Sequence, residues 1–238
     1  MPAVKHQAEA NSTPAEPTPI EPAPQSKVKE PSEAAKIFAE TKAEAEMGNA
    51  LAQFNLGVMY RKGQGVKLDL NEAAKWYRMS ANQGYADAQN SLGNMYNLGA
   101  GVEQDLKEAL KWYRKAIEQE SAKAQYNFGN AYRLGEGMEI DFEDAVKWYR
   151  KAAEQGLARG QGALGLMYAE GMGVTENHAT AYAWLDIAVA NGKDAEEKAF
   201  KKARSHLAKL MPPDQIAKAE ALAKEMIKKN PKLIQKKE

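Results

Sequence analysis

The residues of this chain that can do chemistry are few and scattered. There is no cysteine, which removes a thiolate nucleophile, a disulfide framework and a cysteine metal site together. The three histidines, His6, His178 and His206, include no pair at ligand spacing. Ser205 and His206 are sequence neighbours, but on a helix consecutive side chains diverge by about 100°, and no acid is implicated as a third member. Two patterns remain. Asp69, Asp105, Asp141 and Asn177 recur at intervals of 36, a spacing that suits four separate helix caps better than one metal site. The pairs Gly63/Gly65, Gly99/Gly101, Gly135/Gly137 and Gly171/Gly173 look at first like phosphate loops. A phosphate cradle follows a strand and carries a lysine signature, whereas these pairs follow helical sequence and lack it.

The same interval governs the chain around these positions. Leu56-Gly57, Leu92-Gly93, Phe128-Gly129 and Leu164-Gly165 each lead to a tyrosine (Tyr60, Tyr96, Tyr132, Tyr168), then the glycine pair, then an alanine (Ala73, Ala109, Ala145, Ala181). Trp76, Trp112, Trp148 and Trp184 close the pattern and are all the tryptophans there are. A fixed period of this size marks stacked supersecondary units. It moves the question of function from catalytic groups to a surface.

Apolar spacing of i, i+3, i+4, i+7 makes each unit two helices. The first, helix A, is expected over 49–62, 85–98, 121–134 and 157–170; the second, helix B, over 70–83, 106–119, 142–155 and 178–191. Gly63, Gly99, Gly135 and Gly171 are expected to end helix A in the left-handed conformation, and Gly84, Gly156 and Gly192 to end helix B. Asp69 with Glu72, Asp105 with Glu108 and Asp141 with Asp144 read as capping boxes at the start of helix B. The glycine of each Leu-Gly pair sits inside a helix at a cost of about 1 kcal/mol. Its repetition predicts close approach of a neighbouring helix, the space being filled by Trp76-Tyr77, Trp112-Tyr113 and Trp148-Tyr149.

The organisation read from the sequence is a Pro/Ala-rich disordered tether (1–31), an N-terminal capping helix (32–48), repeats at 49–84, 85–120, 121–156 and 157–192, C-terminal capping helices (193–230) and a basic tail (231–238). The net charge of +1 offers no global field for nucleic acid. Residues 193–238 hold 13 basic against 7 acidic groups, read as a solvated helix face. No apolar run approaches the roughly 20 residues of a membrane span. The composition of 1–31 favours the bacterial periplasm or cell envelope over the cytoplasm, with any signal or anchor segment removed.

With these residues in place, the stretch Ala50-Leu51-Ala52-Gln53-Phe54-Asn55-Leu56-Gly57, continued through Asp69 to Trp76-Tyr77, resembles the Sel1-like repeat, a relative of the tetratricopeptide repeat. The resemblance covers 49–192. It departs at Met138, Asn177, Gly160, Leu185 and Phe128, where looser local packing is expected. It implies an all-α, right-handed α-solenoid of helix-turn-helix repeats, and a bacterial, non-enzymatic adaptor that holds a protein or peptide without cofactor or metal. It implies no specific nucleic-acid ligand, no membrane insertion and a monomer. In the related superhelix helix A lines the concave face, which maps here onto Phe54, Val58, Arg61; Asn90, Asn94, Asn97; Tyr126, Asn130, Arg133; and Gly162, Leu166, Ala169. The amides suit an extended peptide backbone, Phe54 and Tyr126 offer apolar anchors, and Arg61 and Arg133 suit a carboxylate. The bland alternative is that the asparagines bond within the solenoid. Two other functions stay open: a hydrolase using a groove carboxylate, and an anionic-surface binder acting through the basic C-terminal cap.

Overall fold

The computed structural model describes residues 32–235. The tether read at 1–31 and residues 236–238 lie outside the described residues. Among those described there are eleven α-helices, one 3₁₀ turn and no strand. Helix α1 (Glu33–Glu46) precedes four hairpins: α2 (Ala50–Lys62) with α3 (Leu70–Asn82), α4 (Ala86–Leu98) with α5 (Leu106–Ile117), α6 (Ala122–Leu134) with α7 (Phe142–Glu154), and α8 (Ala158–Glu170) with α9 (His178–Asn191). Then come α10 (Asp194–Ala208), α11 (Pro213–Lys229) and the turn Pro231–Leu233. Each helix from α1 to α10 packs on its sequence neighbours, α11 returns to α9, and the 3₁₀ turn reaches back to α7.

Local chemistry sets the hairpins. Asp69, Asp105, Asp141 and Asn177 accept the backbone N–H three residues on at 2.9–3.0 Å. The acidic partners do not reciprocate as a full capping box would; Glu72, Glu108 and Asp144 bind Lys75, Lys111 and Lys147 instead. The A-to-B loop is pinned by the same cap residues, whose N–H groups donate to Tyr60, Tyr96, Tyr132 and Tyr168 carbonyls. Gly63, Gly99, Gly135 and Gly171 take φ of 65–72° at the end of helix A. Gly192 does not follow the expectation. Its φ of −64° and ψ of 150° are extended, and Lys193, also extended, leads on into α10.

Packing divides the Trp-Tyr pair into two jobs. A Cβ added to Gly93 would sit 2.6 Å from the Tyr113 ring, and Gly57 and Gly129 meet Tyr77 and Tyr149 in the same way, so the Leu-Gly glycines of the first three repeats make room for the tyrosine. The tryptophans lie elsewhere: Trp148 meets Phe128 edge-on at 5.2 Å, and Trp112 joins the cluster of Leu92, Ala74 and Tyr77 that bridges two repeats. The expected loosening at the departures is also reversed. A Cβ on Gly160 would lie 2.8 Å from that of Ala152, so this glycine draws α8 onto α7, and Phe128 is 3% exposed. A buried amide relay ties neighbouring units together. Gln53, Gln89 and Gln161 donate to carbonyls of the preceding helix at 3.1–3.2 Å, while Gln83, Gln119, Gln155 and Asn191 donate to Gln53, Gln89, Gln125 and Gln161 at 2.7–2.9 Å. The relay satisfies polar side chains that burial would otherwise penalise.

Candidate functional site

The A helices share a groove of about 520 Å³, walled by Arg61, Asn94, Asn97, Tyr126, Asn127 and Asn130 with the tyrosines Tyr77 and Tyr113 at its floor. A second hollow of about 290 Å³ continues it past Arg133 and Arg159 to Leu166 and Phe200. The tyrosines are buried because their rings lie against helical glycines; only their hydroxyls reach the wall.

Hydrogen bonding fixes what this wall presents. Arg133 Nε donates to Tyr149 Oη at 3.1 Å, and a guanidinium only donates. Tyr149 must therefore give its single proton onward, to Asn130 Oδ1 at 2.7 Å. The Asn130 amide is thereby oriented with oxygen inward and Nδ2 towards the groove. The neighbouring repeat repeats the device. Tyr113 donates to Asn94 Oδ1 at 2.7 Å, and Asn127 Nδ2 donates to both Asn94 Oδ1 and Asn90 Oδ1 at 2.8–2.9 Å. Neither Asn94 Nδ2 nor Asn130 Nδ2 has an acceptor among the described residues. In the first repeat Val58 stands in the asparagine position, and Tyr77 Oη accepts from Arg61 Nε at 3.2 Å, leaving its own proton for the groove.

The same geometry shifts the phenols. Burial pushes Tyr149 up to about 12, with the Arg133 guanidinium acting against it. Tyr113 is pushed up further, because burial is unopposed there and Glu136 adds its negative charge; the arginine position of that repeat is Asn97. All these hydroxyls are neutral donors at ordinary pH.

The sequence-derived residues fall into two groups. Arg61, Asn94, Asn97, Tyr126, Asn130 and Arg133 line the groove. Phe54, Val58 and Asn90 do not: the Phe54 ring lies between Tyr77 and Tyr85 with centroids 5.7 and 5.2 Å away, Val58 packs in the same cluster, and Asn90 is 5% exposed. Asn127, which holds two of the asparagines, was missed. It stands one residue after Tyr126 and so off the i, i+4, i+7 stripe. At the far end Gly162 faces Phe200, whose ring a Cβ there would overlap, so α10 covers the start of the fourth-repeat stripe while Leu166 stays exposed.

Elsewhere the chemistry is sparse. Among the described residues no cluster of His, Cys, Asp or Glu could hold a metal ion, and no helix is long and apolar enough to cross a membrane. His178 lies 3.1 Å from Glu176, Ser205 and His206 are exposed, and His6 is outside the described residues. The basic cap is partly neutralised by Lys201–Glu197, Lys218–Asp214, Lys229–Glu225 and Arg204–Asp186 pairs.

Fold and groove together define an all-α repeat solenoid, a class whose working part is a surface. The 36-residue units match the Sel1 repeat four times in succession, at residues 50–85, 86–121, 122–157 and 158–193, and the chain belongs to the Sel1 repeat family. A Sel1 repeat protein from Oxalobacter formigenes has a similar crystal structure, with a TM-score of 0.67 and 33% identity over 81% of this chain and 80% of that one. A protective antigen of uropathogenic Escherichia coli with an SLR fold gives 0.53 and 31% over 84% of this chain, which spans 50% of the antigen. A sel1-like repeat-containing protein of Acanthamoeba polyphaga mimivirus is 44% identical over 48 residues, 20% of this chain and 9% of that protein. The Sel1 repeat is a non-enzymatic scaffold fold, and proteins built from it generally mediate protein–protein interaction.

Proposed function

We propose that this protein is an adaptor that binds an extended segment of a partner protein in the concave groove of its A helices. The observation that supports the reading most is the forced orientation of Asn130 and Asn94. A groove that turns two amide donors outward, flanked by Arg61 and Arg133 and the free Tyr77 proton, is built for a ligand rich in acceptors, such as peptide carbonyls or a carboxylate. Tyr126 supplies an apolar platform beside them, its ring 5.8 Å from that of Tyr149. The internal bonds and the ligand role are therefore one device, since the bonds on the oxygens set the direction of the nitrogens.

The test is an exchange of donor for acceptor. Asn94→Asp with Asn130→Asp keeps an oxygen for Tyr113 and Tyr149 and places a negative charge where an amide N–H₂ stood. Pull-downs from the native host should lose partners that the wild type retains, with circular dichroism unchanged. An unaltered set of partners would remove the groove from consideration.

A further inference from the structure

The turns that lead from one unit into the next carry equivalent residues at Gly48, Gly84, Glu120 and Gly156, all with positive φ. At the last of them the chain's own C-terminal segment is seated. Asn230 Nδ2 donates to the Glu154 carbonyl at 2.9 Å, and the Leu233 carbonyl accepts from Gln161 Nε2 at 2.8 Å and Asn191 Nδ2 at 2.5 Å. Gln235 N–H then donates to Asn191 Oδ1 at 3.0 Å. Lys232 O lies so near Gly156 that a Cβ there would come within 2.5 Å of it. The segment read from sequence as the start of a basic tail is thus held like a bound peptide on groups that belong to the repeat, through the Asn230 amide, the Leu233 carbonyl and the Gln235 N–H, with the Leu233 side chain buried in the core.

Two repeats earlier the same groups stand without an occupant. Gln89 and Gln119 replace Gln161 and Asn191. Gln89 is 5% exposed and donates to the Ala81 carbonyl at 3.2 Å. Its second amide hydrogen, which in Gln161 goes to Leu233, has no acceptor among the described residues. Around Gly84 a Cβ would meet nothing within 4 Å, so the space that Lys232 fills at Gly156 is open. A groove of about 550 Å³ runs from there along Tyr85, Gln119, Gln155 and Leu157 and ends at Gln235. Between the two turns Glu120 takes the glycine position with a φ of 60°. Glu120 lines the groove beside the Lys123–Asp87 ion pair and itself makes no ion pair among the described residues.

We propose that this turn edge is a second docking surface, separate from the A-helix groove, and that it takes a peptide segment of a partner protein carrying a basic side chain. The seated segment 230–235, a 3₁₀ turn that runs on into extended Ile234, argues for recognition of a peptide backbone, since the groove ends where Gln235 sits. The free carboxylate of Glu120 argues for the base. Gln89 and Gln119 read the peptide carbonyl, the open Gly84 turn admits its backbone, and Glu120 pairs the cation.

The probe is a fluorescein-labelled peptide Asn-Pro-Lys-Leu-Ile-Gln-Lys-Lys, titrated against the full chain by anisotropy. Saturable binding is expected, weakened at least tenfold by Gly84→Asn and several-fold by Glu120→Gln. Asparagine tolerates the left-handed turn and fills the space, and an unchanged thermal midpoint verifies that Gly84→Asn still folds. No binding at millimolar peptide, or equal binding by Gly84→Asn, overturns the proposal. Loss of binding in Asn94→Asp/Asn130→Asp would put the peptide in the A-helix groove and also overturn it. Tighter binding by a chain ending at Gln235 would show the groove already filled by residues 236–238, and the partner assignment would fall.

Discussion

The third and fourth repeats share one backbone plan and differ in what lies over it. In the third, Tyr149 packs on Gly129, and its hydroxyl joins Asn130 and Arg133 at the groove. In the fourth the same three positions are Leu185, Leu166 and Ala169, and α10 lays Phe200 across Gly162. Phe200 covers Gly162, yet Leu166 stays 41% exposed at the second hollow, so the fourth repeat replaces the polar trio with apolar residues even where its face is open. The contrast teaches that the tyrosine network belongs to the groove, while the hairpin itself stands without it: Leu185 is 1% exposed and packs with Leu207, Met211 and Ala219.

The sharpest way to break that contrast is at the glycines. Gly129→Ala places a Cβ 2.8 Å from the buried Tyr149 ring and is expected to cost about 2 kcal/mol even after the gain in helix propensity. Gly165→Ala meets Leu185 Cγ at 3.0 Å and the Ala181 carbonyl at 3.2 Å, longer contacts than the 2.8 Å at Gly129, and should stay within about 1 kcal/mol of wild type. Urea midpoints of the two variants, compared at equal slope, check this. Equal losses would mean that the tyrosine imposes no special constraint.

The network itself is probed next. Tyr149→Phe strands Asn130 Oδ1 and Arg133 Nε and should cost about 1–2 kcal/mol near neutral pH. The phenol lies at about 12 in the folded protein against an ordinary 10. Below pH 10 it is protonated in both states and the network is intact. Between pH 10 and 12 the unfolded chain releases the proton first, so wild-type stability falls, by about 2–3 kcal/mol for a shift of this size. Tyr149→Phe lacks that component. The gap between the two proteins should therefore close as pH rises, and urea melts at pH 8 and pH 11.5 would show it; a constant gap would contradict the assignment.

The smallest expected effect concerns the turn of the second repeat. Glu120 holds a φ of 60° where the first and third repeats have Gly84 and Gly156. Glu120→Gly should stabilise by about 0.5–1 kcal/mol, read as a rise in thermal midpoint. A fall would show that its side chain has a structural partner.

Much of this molecule is written in short-range pattern. The period, the caps at Asp69, Asp105, Asp141 and Asn177, and the glycine stops at the end of helix A follow from interactions three or four residues apart, which one sequence displays directly. The groove residues were legible only in part. Asn94 shares a stripe with Asn90, yet Asn90 is turned into the core and held by Asn127, which lies 37 residues away. Phe54 was a fair anchor by type, but Tyr85 of the next unit claims its ring. No local rule distinguishes these cases, because the competing partner comes from a neighbouring repeat.

The sequence by itself determined the unit: two helices, how each starts and stops, and which positions must recur so that units can stack. Tertiary structure alone decided which faces stay open. Phe200 over Gly162 and the return of Leu233 to Gln161 and Asn191 join a cap to a unit, and the direction in which Tyr149 sends its proton joins the two helices of one unit. Such contacts depend on how whole helices pack and on which polar groups would otherwise be left unpaired, and a 36-residue pattern carries no record of them.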